Sequence, residues 1–210
     1  MRVFLLMLIV ILIFPSPAVA VDEPPHQVVL KDGRFELRQY EPMLLAEVRV
    51  AGSMSRASNN GFRSLADFIF GNNKPAEKIS MTAPVTRTPI ADDASTNIAM
   101  TAPVTRVQNA DKRWTVAFVM PSKWTKESLP NPNNPDVMVR EVPAQLIASI
   151  KFSGRGSEAS YLKQQVKLDA WIAQQGYIVS GEPRYAGYDA PWVLWPFRRN
   201  EVMIAVTKAP

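Results

Sequence analysis

Apolar and polar residues alternate in several short runs along this chain. Leu44, Ala46, Val48 and Val50 interleave with Leu45, Glu47 and Arg49, and that period of two predicts a half-buried strand. Trp114, Val116, Phe118 and Met120 repeat the pattern and stop at Pro121. Val28–Leu30 before the turn Lys31-Asp32-Gly33, then Phe35–Tyr40, Val137–Val142, Gln145–Phe152, Tyr177–Val179, Tyr185–Tyr188 and Glu201–Thr207 read as further extended segments. The spacing changes to helical at Phe62, Leu65, Ala66 and Ile69, with Phe68 at the margin. Gly52–Asn60 reads as a polar connection into this helix, and Gly71-Asn72-Asn73 ends it. A second helix opens with Ser157 as N-cap and Glu158 in its first turn. Tyr161, Leu162, Val166, Leu168, Ile172 and Ala173 mark its expected buried side, and Gly176 ends it. The order of elements gives two similar halves, each with one helix against antiparallel strands. It predicts an α+β domain whose sheet curves toward a barrel with the helices outside.

The heptapeptide Met-Thr-Ala-Pro-Val-Thr-Arg occurs at Met81–Arg87 and again at Met100–Arg106. The spacer holds Pro89, Asp92, Asp93, Ser95 and Asn97, a turn-forming set, so the copies are expected to form a hairpin with Met81 opposite Arg106. Proline cannot donate a ladder hydrogen bond. Pro84 and Pro103 therefore point to a sheet rim, bulge or strand end, and the repeat reads as part of the frame.

Composition narrows the chemistry. Arg2, the apolar run Val3–Phe14 and Ala18-Val19-Ala20 form the n-region, h-region and cleavage site of a secretory leader over residues 1–20. The run is too short to span a bilayer, which needs about 20 residues. The expected organisation is leader 1–20, an N-terminal tail and short strand at 21–34, and one domain over 35–210, periplasmic or secreted and off the membrane once the leader is removed. Among the 210 residues there is no cysteine, which excludes disulfides, thiolate metal sites and cysteine nucleophiles. The single histidine, His26, lies beside Pro24-Pro25, so neither a Ser-His-Asp triad in the core nor a multi-histidine metal site is available. The net charge of +5 is spread along the chain without a basic run interleaved with aromatics, which argues against nucleic acid.

Gly154-Arg155-Gly156 fits neither a P-loop nor a dinucleotide fingerprint and reads as a turn before a helix. Met81, Met100, Met120 and Met138 fall one per expected strand; gathered together they would suit Cu(I) or an axial haem sulfur, and dispersed they fill core gaps. Glu36, Glu41 and Glu47 on or beside the first strands face either solvent or a cationic ligand. Asp189–Asn200 is an aromatic, proline-rich loop in which Arg198 and Arg199 stand near Trp192 and Trp195, placed either to stack on them or to meet anionic groups.

Phe35–Glu41, Gly61-Phe62-Arg63-Ser64-Leu65, Lys78-Ile79-Ser80-Met81-Thr82-Ala83-Pro84-Val85, Phe118-Val119-Met120-Pro121-Ser122, Phe152-Ser153-Gly154 and Arg198-Arg199-Asn200-Glu201-Val202 together resemble the SOUL haem-binding protein family. The segments run in family order over nearly the whole chain after the leader. The resemblance implies a distorted β-barrel with internal pseudo-symmetry. It further implies a non-enzymatic protein that holds haem or a related tetrapyrrole, without a covalent link, in an apolar groove. Phe62, Leu65, Ala66 and Ile69 would face the ring between the first helix and the Trp192–Arg199 loop, with Arg63, Arg198 and Arg199 available for the propionates and Met81 for the groove wall. Where animal members carry an early helix arginine and a late-loop lysine, this chain has Asn59 and Val193. An axial histidine is missing from the core, which leaves methionine, tyrosine or no protein ligand for iron. The alternative is a binding or scaffold module for another amphipathic molecule or a protein partner, without haem affinity.

Overall fold

A computed structural model describes residues 23–74, 95–190 and 192–210. The leader, the first heptapeptide copy with Met81, the turn at Asp92-Asp93 and Pro191 lie outside the described residues. The strands are β1 (His26–Asp32), β2 (Phe35–Tyr40), β3 (Met43–Val50), β4 (Asn73–Lys74), β5 (Val104–Gln108), β6 (Trp114–Val119), β7 (Asn131–Pro132), β8 (Val137–Val142), β9 (Gln145–Ser153), β10 (Tyr177–Val179), β11 (Arg184–Gly187) and β12 (Arg199–Lys208). The helices are α1 (Met54–Ile69) and α2 (Glu158–Gln174), with a short 3-10 turn at Trp195–Phe197. None of the described helices is long and apolar enough to cross a membrane.

The main sheet runs β1-β2-β9-β12-β11-β5-β6-β3-β8, with β10 added on β12; β4 and β7 pair separately. Its order shows the duplication. From one side inward it reads β2-β9-β12-β11, from the other β8-β3-β6-β5, and the halves meet where β11 pairs with β5. In each half a helix follows the second of these strands, β9 or β3.

The sheet must curl. Five strands separate β2 from β3 in sheet order, yet only Glu41 and Pro42 join them, a link that spans at most about 10 Å. No pairing joins β1 to β8 among the described residues, so the hydrogen-bonded sheet is a curled, open one. Both helices cover one face. Leu65, Phe68 and Ile69 of α1 pack on Ala46, Val48, Val116 and Phe118. Tyr161, Leu168, Trp171 and Ile172 of α2 pack on Ala148, Ile150, Val202 and Ile204.

Helix α1 starts well before its apolar periodicity at Phe62–Ile69, at Met54, so most of Gly52–Asn60 is helix instead of a connection. Ser53 caps it by accepting from the Arg56 N–H, and only Met54 and Ala57 of that polar stretch turn to the core. The stop at Gly71 is as expected, with φ of 115°, a conformation that glycine adopts freely. On α2 the buried strip is Tyr161, Leu168, Trp171 and Ile172, while Leu162, Val166 and Ala173 are exposed. Apolar residues surround this helix, so spacing alone does not select which strip docks.

The second heptapeptide copy is central. Its strand β5 is bonded to β6 on one side and β11 on the other, and Pro103 sits immediately before the strand, where its missing N–H costs no ladder bond. A rim hairpin through Arg106 is therefore excluded: both sides of that strand are taken.

Candidate functional site

Between the two helices a strip of sheet remains that neither covers fully. Strand β5 contributes Val104 and Arg106 and β11 contributes Gly187, all half-buried. Register sets the neighbours: Val104 pairs with Phe118 on one side and with Gly187 on the other. The Phe62 ring of α1 stands edge-on over Phe118, at 5.4 Å between centroids. With strands about 4.8 Å apart, the base of the loop after β11 lies about 10 Å across the sheet from that ring.

Arg106 braces the floor. It donates from Nη1 to Ser58 Oγ of α1 at 3.1 Å, from Nη2 to the Tyr161 hydroxyl of α2 at 2.8 Å, and from Nε to the Tyr185 carbonyl at 3.2 Å. Its guanidinium also lies 5.1 Å from the Tyr161 ring centroid. Its half-buried positive charge has no carboxylate partner among the described residues. Burial pushes the Tyr161 phenol up and outweighs the opposing pull of Arg106; it stays protonated and donates to the Ala186 carbonyl at 3.0 Å. A Cβ on Gly187 would meet Arg106 Nη2 at 3.5 Å, so glycine here keeps the guanidinium open from above.

Residues 192–198 form the neighbouring lip. Trp192 is 82 % exposed, Phe197 76 %, Leu194 68 % and Trp195 51 %, four large apolar side chains presented to water within six residues. Large exposed apolar side chains this close together in sequence make the lip a candidate interaction surface. The loop packs toward β9 and the turn before α2, where Arg155 lies 6.0 Å from the Trp195 ring centroid. Arg198 holds the loop shape by donating from Nε to the Val193 carbonyl at 2.7 Å.

The residues singled out in the sequence separate into groups. Phe62 is 39 % exposed, Arg63 is exposed and Ala66 is half-buried, so these three present surface. Leu65 and Ile69 are fully buried in the contact between α1 and the sheet and present none. Trp192 and Arg198 belong to the lip. Arg199 points to the opposite face of the sheet, where it is bound to Glu201 at 2.8 Å and to Glu23, with its guanidinium 3.7 Å from the Tyr188 ring centroid. Met81 lies outside the described residues. The other methionines do not gather: Met120 is buried under α1, Met138 is exposed on the far face opposite Glu47, and Met100 is exposed before β5. No group of three His, Asp or Glu able to hold a metal ion occurs among the described residues.

The far face carries a buried charge network. Arg38 is fully buried and donates to Glu201 at 2.8 and 3.1 Å, to Glu36 at 2.8 Å and to the Tyr40 hydroxyl at 3.2 Å. Glu201 also accepts from the Tyr188 hydroxyl at 2.8 Å. Burial pushes both carboxyls up, but hydrogen bonds from Arg38 outweigh it, so Glu201 stays ionised and Glu36, aided by Lys151, is held down at about 2. Every charge here has a partner, which marks the network as structural. Glu47 is likewise occupied, by Arg140 at 3.0 Å.

Arg106, Tyr161 and Gly187 escape a reading of the sequence, because they lie on three separate elements that only the β5–β11 pairing joins. One signal was present: the heptapeptide ends in arginine in both copies, at Arg87 and Arg106.

Comparison with known proteins agrees with this architecture. The fold is similar to the crystal structure of the EcmrR C-terminal domain, with a TM-score of 0.59 at 12% identity over 88% of this chain and 99% of that one. It is also similar to the crystal structure of a hydrolase from Listeria innocua, with a TM-score of 0.55 at 11% identity over 85% of this chain and 94% of that one. At those identities the likeness is one of fold. Among curated proteins, the chain is 26% identical to human "Heme-binding protein 2" over 93% of its length and 91% of that protein. It is also 26% identical to Xenopus laevis "Heme-binding protein 1", over 82% of its length and 84% of that protein. The family model described as SOUL heme-binding protein matches residues 21–205, nearly the whole chain after the leader-like segment, and this chain belongs to that family.

Proposed function

We propose that this protein is exported and holds haem or a related tetrapyrrole without a covalent link and without catalysing a reaction, on the helix-bearing face between α1 and the Trp192–Arg198 loop. The observation that carries the proposal is the exposed set Trp192, Leu194, Trp195 and Phe197 beside a half-buried arginine that has no carboxylate partner among the described residues. A flat, amphipathic dicarboxylate needs a broad apolar surface with few, well-placed charges. Phe62 and the loop aromatics supply the first; Arg106, with Arg155 and Arg63 nearer solvent, supplies the second. Affinity then comes from apolar burial at about 25 cal/mol per Å². The relatives' names and the family description support the choice of haem.

Iron ligation is the constraint on this reading. His26 is on β1, its Nδ1 2.9 Å from the Pro24 carbonyl and its ring against Tyr40, on another strand pair from the site. Tyr161 is a neutral phenol committed to Asn200 and Ala186. Met100, just before β5, is an exposed soft donor, and ring burial needs no ligand at all. A bound haem would bring redox-active iron; the chain's own residues bind the ring, orient its carboxylates and shield one face from water. Export rests on Arg2, Val3–Phe14 and Ala18-Val19-Ala20.

Titration of purified protein with haemin, followed in the Soret band, tests the reading. A saturable shift that weakens in the Trp192→Ala/Trp195→Ala variant is expected. A response no different from that of an unrelated basic protein overturns it and leaves the exposed loop as a surface for a protein partner or another amphipathic molecule.

A further inference from the structure

A second concavity, with a cavity volume of about 680 Å³, opens where the ends of β3, β6 and β8 come together. This is within the range of small-molecule sites, about 300–1,000 Å³. Its apolar wall is Met43, Leu44, Met120 and Val142, closed on one side by the Trp124 ring. The strand ends at this rim are fixed by Pro42, Pro121 and Pro143, whose locked φ angles favour a preformed shape. The Trp124 indole nitrogen is buried without a hydrogen-bond partner among the described residues, so the part of the ring that reaches the cavity is carbon.

The charged lining is of one sign, beside the neutral Ser122 and Thr125. Glu41 and Glu141 both line the cavity, both are exposed, and neither pairs with a described lysine or arginine. No described lysine or arginine lines it at all. On a chain of net charge +5, two unpaired carboxylates facing an apolar cavity free of cations are a local reversal of the overall charge. The nearby cation, Lys123, lies against the tryptophan itself, its Nζ 5.3 Å from the Trp124 ring centroid, a position in which an aromatic face attracts positive charge. A bare metal ion does not fit walls made mostly of carbon, since hard cations take about six or more oxygen ligands.

We propose that this cavity binds a small organic monocation with an apolar body, an amine or quaternary ammonium. Its charge sits between Glu41 and Glu141 and its hydrocarbon part lies on Met43, Leu44, Met120 and Trp124. Methionine side chains adapt to irregular apolar shapes, which suits a site for a class of cations more than for one molecule. Carboxylates lining the same cavity as Trp124 add a charge term that an uncharged analogue lacks.

The test uses tryptophan fluorescence and calorimetry with N-benzyl-N,N-dimethylhexylammonium, the uncharged benzyl hexyl ether and the anionic hexylbenzenesulfonate. Saturable one-to-one binding of the cation alone is expected. Glu41→Gln/Glu141→Gln should weaken it by about tenfold or more while leaving the thermal midpoint unchanged, because both side chains are exposed and unpaired. Haemin titration in that variant should match the wild type, so this site and the helix-face site succeed or fail separately. Equal binding of the neutral ether, no saturable binding of the cation, or full affinity in the double glutamine variant would each overturn the proposal.

Discussion

The Arg106 guanidinium lies 2.8 Å from the Tyr161 hydroxyl and 3.1 Å from Ser58 Oγ, so one side chain at the junction of the two halves ties α1 to α2. Removing it takes away three hydrogen bonds, each worth about 1 kcal/mol net. Arg106→Met is expected to lower stability by about 2–3 kcal/mol in denaturant unfolding. If the same cation orients a ligand carboxylate, the variant also loses its preference for protoporphyrin over protoporphyrin dimethyl ester. Retention of that preference would separate the structural role from the binding role.

Arg38 and Glu201 are both fully buried and hold each other through two hydrogen bonds. Breaking a buried pair on one side leaves an uncompensated charge, at about 3–5 kcal/mol. Arg38→Met alone should be the most damaging single change on the far face, and Arg38→Met/Glu201→Gln should recover part of the loss. Equilibrium unfolding of the single and double variants measures that coupling.

Acid stability depends on the same network. In the folded chain Glu36 is driven up by burial and more strongly down by Arg38 and Lys151, ending at about 2 against an ordinary 4.5. Its contribution is therefore complete above pH 4.5 and is lost as pH falls from 4.5 toward 2; Glu201, also lowered, acts in the same direction. Thermal midpoints should fall steeply across that window in the wild type and less steeply in Glu36→Gln.

Gly61 brings α1 against β6. A Cβ at this position would come within 2.6 Å of Val116, a fully buried side chain with no room to retreat. Gly61→Ala gains about 1 kcal/mol of helix propensity but forces overpacking that costs about 1–3 kcal/mol. A net fall in stability is expected, and Gly61→Ala/Val116→Ala should reverse it.

Trp192 and Trp195 are exposed, so Trp192→Ala/Trp195→Ala should shift stability by no more than about 0.5 kcal/mol per site. A larger loss in calorimetry would make the loop a structural element. An unchanged melting profile with weakened haemin binding is the expected result.

The α+β class, the two-half organisation, most strands and the centres of both helices are legible in the alternation and spacing of apolar residues, because those patterns report which face of a local element is dry. Leu65 and Ile69 show the limit of the same signal. Helical periodicity marks them as apolar-facing, but it cannot say whether that face meets a ligand or the core, and here it meets the core. Leu162 and Val166 fail for a related reason: α2 is apolar on more than one side, and the curvature of the sheet chooses the strip. Arg198 and Arg199 are adjacent in sequence, yet one shapes the aromatic loop and the other is drawn into the far-face charge network. Successive residues at the start of a strand point to opposite faces.

The sequence by itself determined the leader-like segment, the absence of cysteine chemistry, the aromatic loop and the family. Each of these is a property of residues close together in the chain. Only the tertiary structure decided that Arg106, Tyr161, Ser58 and Gly187 share one surface, that Arg38 is neutralised by a glutamate at position 201, and that Glu41 and Glu141 face one cavity. Those relations depend on strand pairings between residues far apart in sequence, which local patterning does not encode.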